Sequence, residues 1–560
     1  MKNLLHSTPE LALFICLALG FALGKVKFWK ISLGGVAGTL IVAIFVGMWG
    51  KVSLNDQVKN IAFALFIFTL GYLSGPSFFA SLNRRSLRYG VFTAIECVSI
   101  LAITAVATVL LKLDVGTAAG MLAGGATESA VVGTATDAIG KLDAPAEQIA
   151  AWQSNVGTAY SISYIMGLIT IVLLSSQIFP SIMKVNLRDE ADKLWRKLGG
   201  GSTAEGAAPA LPELVGRAHQ VSVANGQSVG QLETAFGQGT TVERVHRGGE
   251  MLGFAAATKL ARGDVVLLVG HREVLLRGGN LVGPEVAPSD GMDLELDQME
   301  AVLTAKGAAG ETIGALREQI PVDQRRGIFL TGVTRMEHPL PVQPGTELAT
   351  GDVLRFTGTK KDLNSFVPRV GFKIDPGVKA DFIFIGIGVA LGILIGKLTL
   401  NLGSIPLSLG TGGGCLLTGL FFGWLRAKHP TFGQYHPAAA SVIKDLGLAT
   451  FICAVGLGSG PTAVKLIRDF GIALPITGIL ITLVPACISL FVAWKVMRLE
   501  APLALGAVAG QQCSTPAITA VQTAAGNTTP LMSYTVVYAL SNVVLPLLGP
   551  IVVAMAHSLR

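Results

Sequence analysis

The stretch GGATESAVVG, residues 124–133, places two glycines, a threonine, a glutamate and a serine inside a long apolar run. Residues 510–517, GQQCSTPA, interrupt a second apolar run in the same way near the other end of the chain. Backbone that leaves a helix inside a membrane must be buried in protein or line a watery cavity, because lipid cannot hydrogen bond to its free amides and carbonyls. The two stretches therefore predict a pair of broken helices around a polar site.

The composition is that of an integral membrane protein. Of the 560 residues, 51% are hydrophobic and only 14% are charged, and the mean hydropathy of +0.58 is too high for a soluble globule. Residues 184–379 contain no apolar run long enough to cross a bilayer, which predicts a soluble insert. Membrane spans are predicted on both sides of that insert, at 10–24, 31–50, 60–79, 90–111, 157–180, 381–396, 406–424, 446–463, 470–494 and 531–555.

The two apolar halves carry the same motifs in the same order. Five matches in one order indicate two copies of an ancestral unit, so the first run is expected to be a structural helix and not a cleaved signal peptide. The matching motifs are ALGFALGK at 18–25 and ALGILIGK at 390–397, SLGGVAG at 32–38 and SLGTGGG at 408–414, GYLSGP at 71–76 and GLGSGP at 456–461, AGGATESA at 123–130 and AGQQCSTPA at 509–517, and the pairs Tyr160/Tyr164 and Tyr534/Tyr538.

Charges predict the orientation if residues 115–136 dip into the membrane and return. Each half then has five crossings, and the basic residues near Lys25, Arg88 and Lys184 share one face, opposite the acidic loop that follows Asp137. The positive-inside rule makes that face cytoplasmic. The predicted fold is an α-helical polytopic protein of a bacterial inner membrane, with two inverted repeats of about five helices plus a broken segment each. The insert is expected to be cytoplasmic and both termini outside.

The insert is predicted to be a soluble α+β region of two tandem small modules. Its strand-like segments end in Gly-Asp turns, and it repeats internally: residues 226–232 resemble 310–316, and 260–270 resemble 348–358. The predicted domains are a first membrane repeat at 1–183, a linker and first module at 184–292, a second module at 293–379, and a second membrane repeat at 380–560.

The broken segments supply most of the candidate substrate-binding residues. Two half-helix N-termini aimed at one point present free amides and positive dipole ends, which suits a carboxylate. The alternative is a small-residue helix-packing motif. We expect glycines to provide the turn, Pro516 to end or start a half-helix, and the hydroxyl residues to be N-caps. The candidates are Gly124, Gly125, Thr127, Glu128, Ser129, Gln511, Gln512, Cys513, Ser514, Thr515 and Pro516.

Glu128 is one of few ionisable residues inside an apolar run, and such residues are functional by default. It has three interpretations: it binds a substrate ammonium, carries a coupling proton, or pairs with a buried basic group. Its repeat mate is Ser514, so the predicted site is asymmetric. Glu96 is the other such residue, with a satisfied packing contact as the competing interpretation.

Two further elements add six candidates. Ser74 and Ser459 belong to Ser-Gly-Pro sequences, where the glycine and proline are expected to stop or kink a helix and expose carbonyls to substrate, or simply to end it. Tyrosines four residues apart share one helix face. They are expected either to anchor at the interface or to line the substrate path, and are Tyr160, Tyr164, Tyr534 and Tyr538.

Several other classes of site are not predicted. The six cysteines show no ligand spacing, so neither a metal nor a cofactor is expected. The net charge of +7 comes without a basic stripe, which argues against nucleic acid. No dinucleotide or phosphate loop and no catalytic triad arrangement occurs, so an enzyme is not expected.

The arrangement of two homologous membrane halves around paired modules resembles the aspartate:alanine exchanger family of bacterial transporters, with GYLSGP, GGATES, GLGSGP and GQQCSTPA as its most telling motifs. The modules are similar to TrkA-C domains. The resemblance implies electrogenic exchange of aspartate, or a related acidic amino acid or dicarboxylate such as succinate, for alanine or another small metabolite. It also implies a homodimer in membrane lipid, with a small regulatory ligand or a purely structural role for the modules.

Two other functions compete with exchange. A cation- or proton-coupled carboxylate carrier, or a dicarboxylate exporter, would use the same broken-helix construction. Coupled carriers typically have acidic residues in the second broken segment, where this chain has Gln511, Gln512 and Ser514. A potassium channel is suggested by the TrkA-C-like modules, but the chain contains no TVGYG-type filter.

Overall fold

Contacts divide the chain into two compact units. The first, here the membrane unit, comprises Met1–Lys197, Arg335–Pro341 and Pro376–Arg560, and the second, here the insert unit, comprises Leu198–Thr334 and Val342–Asp375. The computed structural model describes residues 2–28, 31–32, 34–81, 87–199, 214–236, 240–253, 255–276, 278–287, 296–305, 307–336, 338–374, 381–402, 405–428, 435 and 437–559.

Among the described residues of the first half of the membrane unit, the regular elements are helices and one short β-hairpin. Its elements are α1 (Lys2–Ser7), α2 (Pro9–Gly24), β1 (Lys27–Phe28), β2 (Ile31–Ser32), α3 (Gly35–Gly50), α4 (Asp56–Ser81), α5 (Leu87–Leu111), α6 (Val115–Gly125), α7 (Ser129–Ile139), α8 (Ala146–Leu173), a π-helical turn (Leu174–Ile178), α9 (Phe179–Met183) and α10 (Leu187–Lys197).

The insert unit contains two modules with one antiparallel sheet each, ordered β3-β6-β4-β5 in the first and β11-β7-β10-β8 in the second. The elements from 214 to 374 are β3 (Leu214–Gln220), α11 (Val229–Phe236), β4 (Thr240–Arg247), β5 (Glu250–Met251), β6 (Val265–His271), α12 (Arg272–Leu275), α13 (Gly278–Leu281), β7 (Asp297–Leu303), α14 (Ile313–Gln319), α15 (Val322–Arg325), β8 (Ile328–Arg335), β9 (His338–Leu340), β10 (Val353–Gly358), α16 (Lys360–Val370) and β11 (Gly371–Ile374).

The second half of the membrane unit repeats the order found from α2 to α8, namely a helix, a β-hairpin, three helices, a broken pair and a further helix. Its elements are α17 (Phe382–Gly396), β12 (Thr399–Leu402), β13 (Ile405–Ser408), α18 (Gly410–Lys428), α19 (Pro437–Phe470), α20 (Ala473–Phe491), a π-helical turn (Val492–Val496), α21 (Ala501–Gln511), α22 (Thr515–Ala525), α23 (Leu531–Val544), a 3-10 turn (Leu545–Leu547) and α24 (Leu548–Ser558). Its π-helical turn follows α20, whereas that of the first half follows α8.

All ten predicted spans contain helices, but two begin later than expected. Residues 31–32 and 405–408 are hairpin strands, so α3 and α18 start after them. Within the described residues, six helices are long and apolar enough to cross a membrane. They are Asp56–Ala80, Leu87–Leu111, Ala146–Met183, Ala438–Gly460, Ala473–Val496 and Leu531–Ser558, with Pro9–Gly24, Gly35–Gly50 and Phe382–Gly396 as shorter apolar helices.

The expectation that the Ser-Gly-Pro sequences end helices is wrong. Helix α4 continues past Pro76 to Ser81, and α19 continues past residue 461 to Phe470. The glycines instead permit close packing between the two halves. A Cβ on Gly75 would meet the carbonyl oxygen of Leu420 in α18, and one on Gly460 would meet the backbone of α3. Helix contact across the halves therefore explains these glycines.

Helices α6 and α7 form a helical hairpin, here the first hairpin, against α8. At its two ends, Asn155 Nδ2 donates to Asp114 Oδ2 at 3.1 Å and Gln153 Nε2 donates to the carbonyl oxygen of Thr136 at 3.0 Å. Both ends thus lie at one level of α8. The tip lies further along α8, because a Cβ on Gly124 would meet the backbone of Tyr160 and Tyr164.

Helices α21 and α22 form the second hairpin, which packs against α23 in the corresponding way. Ser533 Oγ donates to the carbonyl oxygen of Leu503 at 2.6 Å near the start of α21. At the other end of α21, a Cβ on Gly510 would lie 2.8 Å from the carbonyl oxygen of Tyr534. Each hairpin arm has 11 residues, about 16 Å of helix, which is roughly half the hydrocarbon thickness of a bilayer.

Helix α10 belongs to the membrane unit, so the contact boundary at Lys197 falls beyond the predicted domain boundary at 183. Lys197 Nζ forms an ion pair with Glu500 Oε1 at 2.7 Å, just before α21. Asn527 Nδ2, just after α22, lies 3.4 Å from Asp192 Oδ1. Through these contacts with both ends of the second hairpin, the amphipathic, charged helix α10 belongs to the membrane unit.

Candidate functional site

The two hairpin tips have the same local construction. Thr127 and Cys513 occupy the left-handed backbone region, with φ of 51° and 46°. The next residue in each tip is the N-cap of the following helix: Glu128 Oε1 accepts from the amide of Ala130 at 3.0 Å, and Ser514 Oγ accepts from the amide of Ala517 at 3.3 Å. Glu128 and Ser514, which the sequence repeat aligns, therefore occupy equivalent positions in the two hairpins.

Ser514 is a predicted N-cap that the structure confirms, whereas the other three predicted N-caps are wrong. Ser129 and Thr515 are the first residues of α7 and α22, one position inside the helices. Thr127 lies before the cap and bonds elsewhere. Pro516 is the second residue of α22 and so starts a half-helix, as one of its two expected roles required.

The glycines do not make the turns, which corrects a second expectation. Gly124 and Gly125 are the last residues of α6, and Gly510 lies within α21. Their role is close packing: Gly124 against α8 and Gly510 against α23, while a Cβ on Gly125 would meet Ile481 of α20. The turn positions are taken by a threonine and a cysteine, residues for which a positive φ is costly.

The tips of the two hairpins contact each other. Thr127 Oγ1 donates a hydrogen bond to the carbonyl oxygen of Gln512. The side chain of Gln512 points to α5, where its Nε2 donates to Glu96 Oε1 at 3.0 Å. Gln511 Nε2 donates to the carbonyl oxygen of Phe92, also in α5, at 2.9 Å. Helix α5 therefore holds the second tip, which the sequence did not predict.

A cavity of about 760 Å³ reaches the two tips. It runs along α22 and the π-helical turn after α8, a distortion that is frequent at functional sites. None of its lining residues is charged, and the substrate-site candidates among them are Thr127, Tyr164, Cys513, Ser514, Thr515 and Pro516. The remaining lining residues are Gly34, Gly35, Val36, Val172, Leu173, Ser176, Gln177, Thr519, Ala520, Thr523 and Ala524.

The cavity lining includes residues that the sequence motifs did not suggest. Ser176 and Gln177 belong to the π-helical turn, and Thr519 and Thr523 lie on α22, where both are exposed. The signal for the α22 residues was present, because threonines at 515, 519 and 523 are spaced one helical turn apart. Nothing in the sequence marks the π-helical turn.

The other predicted site residues lie outside the cavity lining. Four of them are buried in the tips or next to them: Glu128, Ser129, Gln511 and Gln512. Ser74 is buried in α4, and Ser459 Oγ in α19 donates to the carbonyl oxygens of Ser154 and Val455. Arg84 and Arg85, the basic residues nearest in sequence to the first Ser-Gly-Pro motif, lie outside the described residues.

The tyrosine pairs lie beside the tips. Tyr160 and Tyr164 have ring centroids 5.2 Å apart, and Ser129 Oγ and Tyr160 Oη are hydrogen bonded at 2.6 Å. Tyr534 and Tyr538 are stacked at 5.1 Å. Residues 335–341 belong to the same unit, and the ring of His338 lies 5.0 Å from Tyr534 and 5.7 Å from Tyr538. Tyr164 is the tyrosine that lines the cavity.

The buried carboxyl groups at the tips have no basic partner among the described residues. No ion pair there involves Glu96 or Glu128. The carboxyl group of Glu96 accepts a hydrogen bond from Gln512, and that of Glu128 accepts from the amide of Ala130 and interacts with the thiol of Cys513. Among all residues that the structure describes, no group of three or more His, Cys, Asp or Glu side chains could hold a metal ion.

A bundle of apolar helices with two broken hairpins meeting at the end of a cavity is typical of polytopic membrane transporters. The chain belongs to the family described as a predicted permease membrane region, whose model matches residues 12–180 and 384–554. The two matched ranges correspond to the two membrane halves and leave out the insert.

Relatives along the whole chain are transporters without an assigned substrate. An uncharacterised transporter of Zymomonas mobilis is 35% identical over 558 residues, covering 99% of both chains. One of Bradyrhizobium diazoefficiens is 33% identical over 555 residues, again covering 99% of both chains. One of Francisella tularensis is 33% identical over 554 residues, covering 98% of this chain and 97% of the relative. No solved structure matches the chain.

Proposed function

We propose that this transporter exchanges aspartate, or a related acidic amino acid or dicarboxylate, for alanine or another small metabolite, with net movement of charge. The cavity that ends at both hairpin tips carries the proposal. Its volume of about 760 Å³ accommodates a four-carbon dicarboxylate with its hydration water. The choice of aspartate and alanine comes from the family resemblance of the motifs.

The start of α22 provides the carboxylate site in this proposal. Ser514, Thr515 and Pro516 line the cavity at the N-terminal end of that helix, where the amide of Thr515 and the helix dipole favour an anion. Pro516 has no amide N–H, and the amide of Ala517 is bonded to Ser514 Oγ. The hydroxyl group of Thr515 offers a further donor, because this residue is exposed and lines the cavity. The hydroxyl group of Thr519 donates to the carbonyl oxygen of Thr515 at 2.8 Å. Uncharged donors bind a carboxylate without the strong retention that a buried arginine would cause.

We infer that the two hairpins enter the membrane from opposite faces. Helices α8 and α20 run in parallel, since Gly478 packs against Ser163 and Thr482, further along α20, lies against Gly167, further along α8. The first hairpin precedes the start of α8, whereas the second follows the end of α20. This geometry favours inverted repeats. The cavity extends to Gln177, which shortly precedes the insert in the sequence. If the insert is cytoplasmic, this position of the cavity favours an inward-facing state.

Counterflow in proteoliposomes tests the proposal. Vesicles containing the purified protein are loaded with unlabelled L-aspartate, and labelled L-aspartate is added outside without an ion gradient. We expect transient accumulation that unlabelled alanine abolishes. Accumulation blocked by succinate and not by alanine would replace the amino-acid pair with a dicarboxylate pair. Uptake that appears only under a sodium or proton gradient would contradict exchange and favour a coupled carrier.

The insert unit is proposed to consist of two TrkA-C-type modules that pair between the subunits of a homodimer and bind a small regulatory ligand. The two modules share an element order: a strand, a helix opened by a turn, and two further strands of the same sheet. Light scattering of the detergent-solubilised protein checks the dimer. A monomeric mass after subtraction of detergent would contradict it.

A further inference from the structure

We propose that Glu96, paired with Gln512, is a proton-binding site of the membrane unit whose occupancy responds to the substrate cavity. The site is distinct from the proposed carboxylate site and depends only on the protein being a transporter. Neither residue lines the cavity. The ligand is a proton delivered from water, bound by an O–H bond at the carboxyl group and released to water when that bond breaks.

The position of Glu96 makes its ionised form costly. Glu96 is the tenth residue of α5, which extends from Leu87 to Leu111, and the exposed fraction of Glu96 is 0%. The helix is long enough to span a bilayer, so this carboxyl group lies about 14 Å from the start of the span, close to the middle. A buried charge there costs several kcal/mol unless a cation or several donors compensate it.

The described surroundings of Glu96 contain no such compensation. Its Oε1 accepts one hydrogen bond, from the neutral amide of Gln512 at 3.0 Å. Its Oε2 has no partner in the part of the chain that the structure describes, and neither has Oε1 of Gln512. A single neutral donor does not offset a buried carboxylate charge, so the protonated form is favoured.

A proton on Glu96 also gives both unpartnered oxygens, Oε2 of Glu96 and Oε1 of Gln512, a hydrogen-bond partner. The carboxyl and carboxamide groups are planar and already joined by one hydrogen bond. A hydrogen atom on Oε2 supplies the donor that Oε1 of Gln512 lacks, and we expect it to close a second hydrogen bond between the same two groups. Ionisation of Glu96 leaves both oxygens unsatisfied again.

The titratable groups facing this pair are acids, thiols and a phenol. Cys97 follows Glu96 on α5, Cys513 follows Gln512 in the second tip, and Glu128 of the first tip and Tyr534 of α23 both interact electrostatically with Cys513. No described lysine, arginine or histidine acts on either carboxyl group. Every neighbour that can ionise would become negative, which further opposes a second negative charge on Glu96.

Gln512 connects the proton site with the cavity. Its side chain holds Glu96, its carbonyl oxygen accepts from Thr127 of the other hairpin, and the next residue, Cys513, lines the cavity. Substrate in the cavity, beside Cys513, therefore acts on the segment that holds the carboxyl group. A shift of the tip that separates Gln512 from Glu96, or admits water, releases the proton, so substrate and proton binding are linked.

Infrared spectroscopy of the reconstituted full chain tests proton occupancy without knowledge of the substrate. We expect a carbonyl stretch of a protonated carboxyl group at neutral pH that is lost in Glu96→Gln and retained in Glu147→Gln, a control at an exposed position of α8. The variant Glu128→Gln separates any contribution of the second buried acid. Gln512→Leu, which removes the hydrogen bond, should shift the Glu96 band. Identical spectra for wild type and Glu96→Gln would overturn the proposal.

Proton flux measured with a dye inside the vesicles tests the link to transport. We expect substrate uptake by wild type to change the internal pH, and Glu96→Gln to abolish that change while it retains counterflow. If counterflow of aspartate fails but the infrared band is assigned to Glu96, the substrate proposal is wrong and the proton site stands. Uptake by wild type that needs sodium and leaves internal pH unchanged contradicts the proton site.

Discussion

Thr127 holds a backbone conformation that costs a β-branched residue energy, and its hydroxyl group joins the two hairpins. Such strain persists only where surrounding contacts impose it, and it is concentrated at functional sites. Cys513 has the same conformation in the second hairpin and lines the cavity with Thr127. At the scale of single residues, the site is therefore two strained tips joined by the hydrogen bond of Thr127 and by the interaction of Cys513 with Glu128.

Replacing Thr127 with valine removes that hydrogen bond and leaves the carbonyl oxygen of Gln512 unpaired. A buried hydrogen bond contributes on the order of 1–1.5 kcal/mol, which corresponds to roughly a tenfold effect. We expect the counterflow rate to fall by about that factor in Thr127→Val. Thr127→Ser keeps the hydroxyl group and is the matched control. Equal rates in the two variants would show that the bond between the tips does not support transport.

Glu128→Gln tests the proposed contact between Glu128 and a substrate ammonium. Its carboxyl group is buried behind the cavity lining and caps α7, so a glutamine of the same size retains the cap. We expect weaker competition by aspartate and unchanged or stronger competition by succinate, which lacks the ammonium group. The measurement is counterflow with both competitors. Unaltered aspartate affinity together with no gain for succinate would rule out the ammonium contact.

At the scale of helices, glycine contacts decide how closely the hairpins lie against their supports. The backbone of α6 approaches α8 at Gly116, Gly120 and Gly124, and α21 approaches α23 at Gly506 and Gly510. Small residues at helix contacts are the usual means of close packing in membranes. These positions fix the depth of each tip and hence the position of the cavity end.

Gly124→Ala should impair transport and lower the melting temperature. The added Cβ would meet Ser163 Oγ and backbone atoms of Tyr160 and Tyr164, so α6 or α8 must shift. Overpacking of this kind costs about 1–3 kcal/mol. Gly90→Ala is the control, because its Cβ would meet nothing within 4 Å and alanine favours helix. Thermal unfolding of both variants in detergent is the measurement, and equal melting temperatures would contradict the packing role.

In the insert unit, the turn before β6 depends on Asp264. Burial acts to raise the pKa of this carboxyl group, but hydrogen bonds from Arg247 and from the amide of Ala261 hold its pKa below the ordinary value. The pKa is therefore lower in the folded chain than in the unfolded chain. The resulting stabilisation is complete above the unfolded pKa and is lost as the pH falls through the folded pKa.

Asp264→Asn should open the sheet of the first module locally and remove that acid sensitivity. Loss of charge-assisted hydrogen bonds to a buried group costs about 1–3 kcal/mol. Hydrogen exchange of the full chain is the measurement, followed in peptides covering β4 and β6. Glu250→Gln, at an exposed position of β5, is the control. Unchanged protection of β6 in Asp264→Asn would show that the turn does not depend on the carboxylate.

At the scale of the whole molecule, the proposed orientation requires that each hairpin enters and leaves the membrane by one face. Labelling of single cysteines in a cysteine-free background tests it. Gly140→Cys lies just after the first hairpin, and Glu190→Cys lies in α10. We expect an impermeant maleimide to label position 140 in intact cells and position 190 only after permeabilisation. The reverse pattern would invert the topology, and labelling of both would contradict the odd number of crossings.

The sequence by itself determined the class of protein, the repeated motifs and the location of the candidate site. Long apolar runs have few alternatives to membrane helices, and polar segments inside them must serve a cavity or a contact, so GGATES and GQQCSTPA were recognisable without coordinates. The pairing of Glu128 with Ser514 also followed from the repeat alone. These features depend on local composition and spacing, which the chain displays directly.

Only the tertiary structure decided which atoms perform each role. The turns fall on Thr127 and Cys513, while Gly124 and Gly510 serve packing, because the cost of a Cβ depends on neighbours distant in sequence. The pairing of Gln512 with Glu96 joins residues more than 400 positions apart, and no local pattern encodes it. Ser176 and Gln177 reach the cavity because a π-helical turn rotates them there, a distortion set by packing and not by propensity.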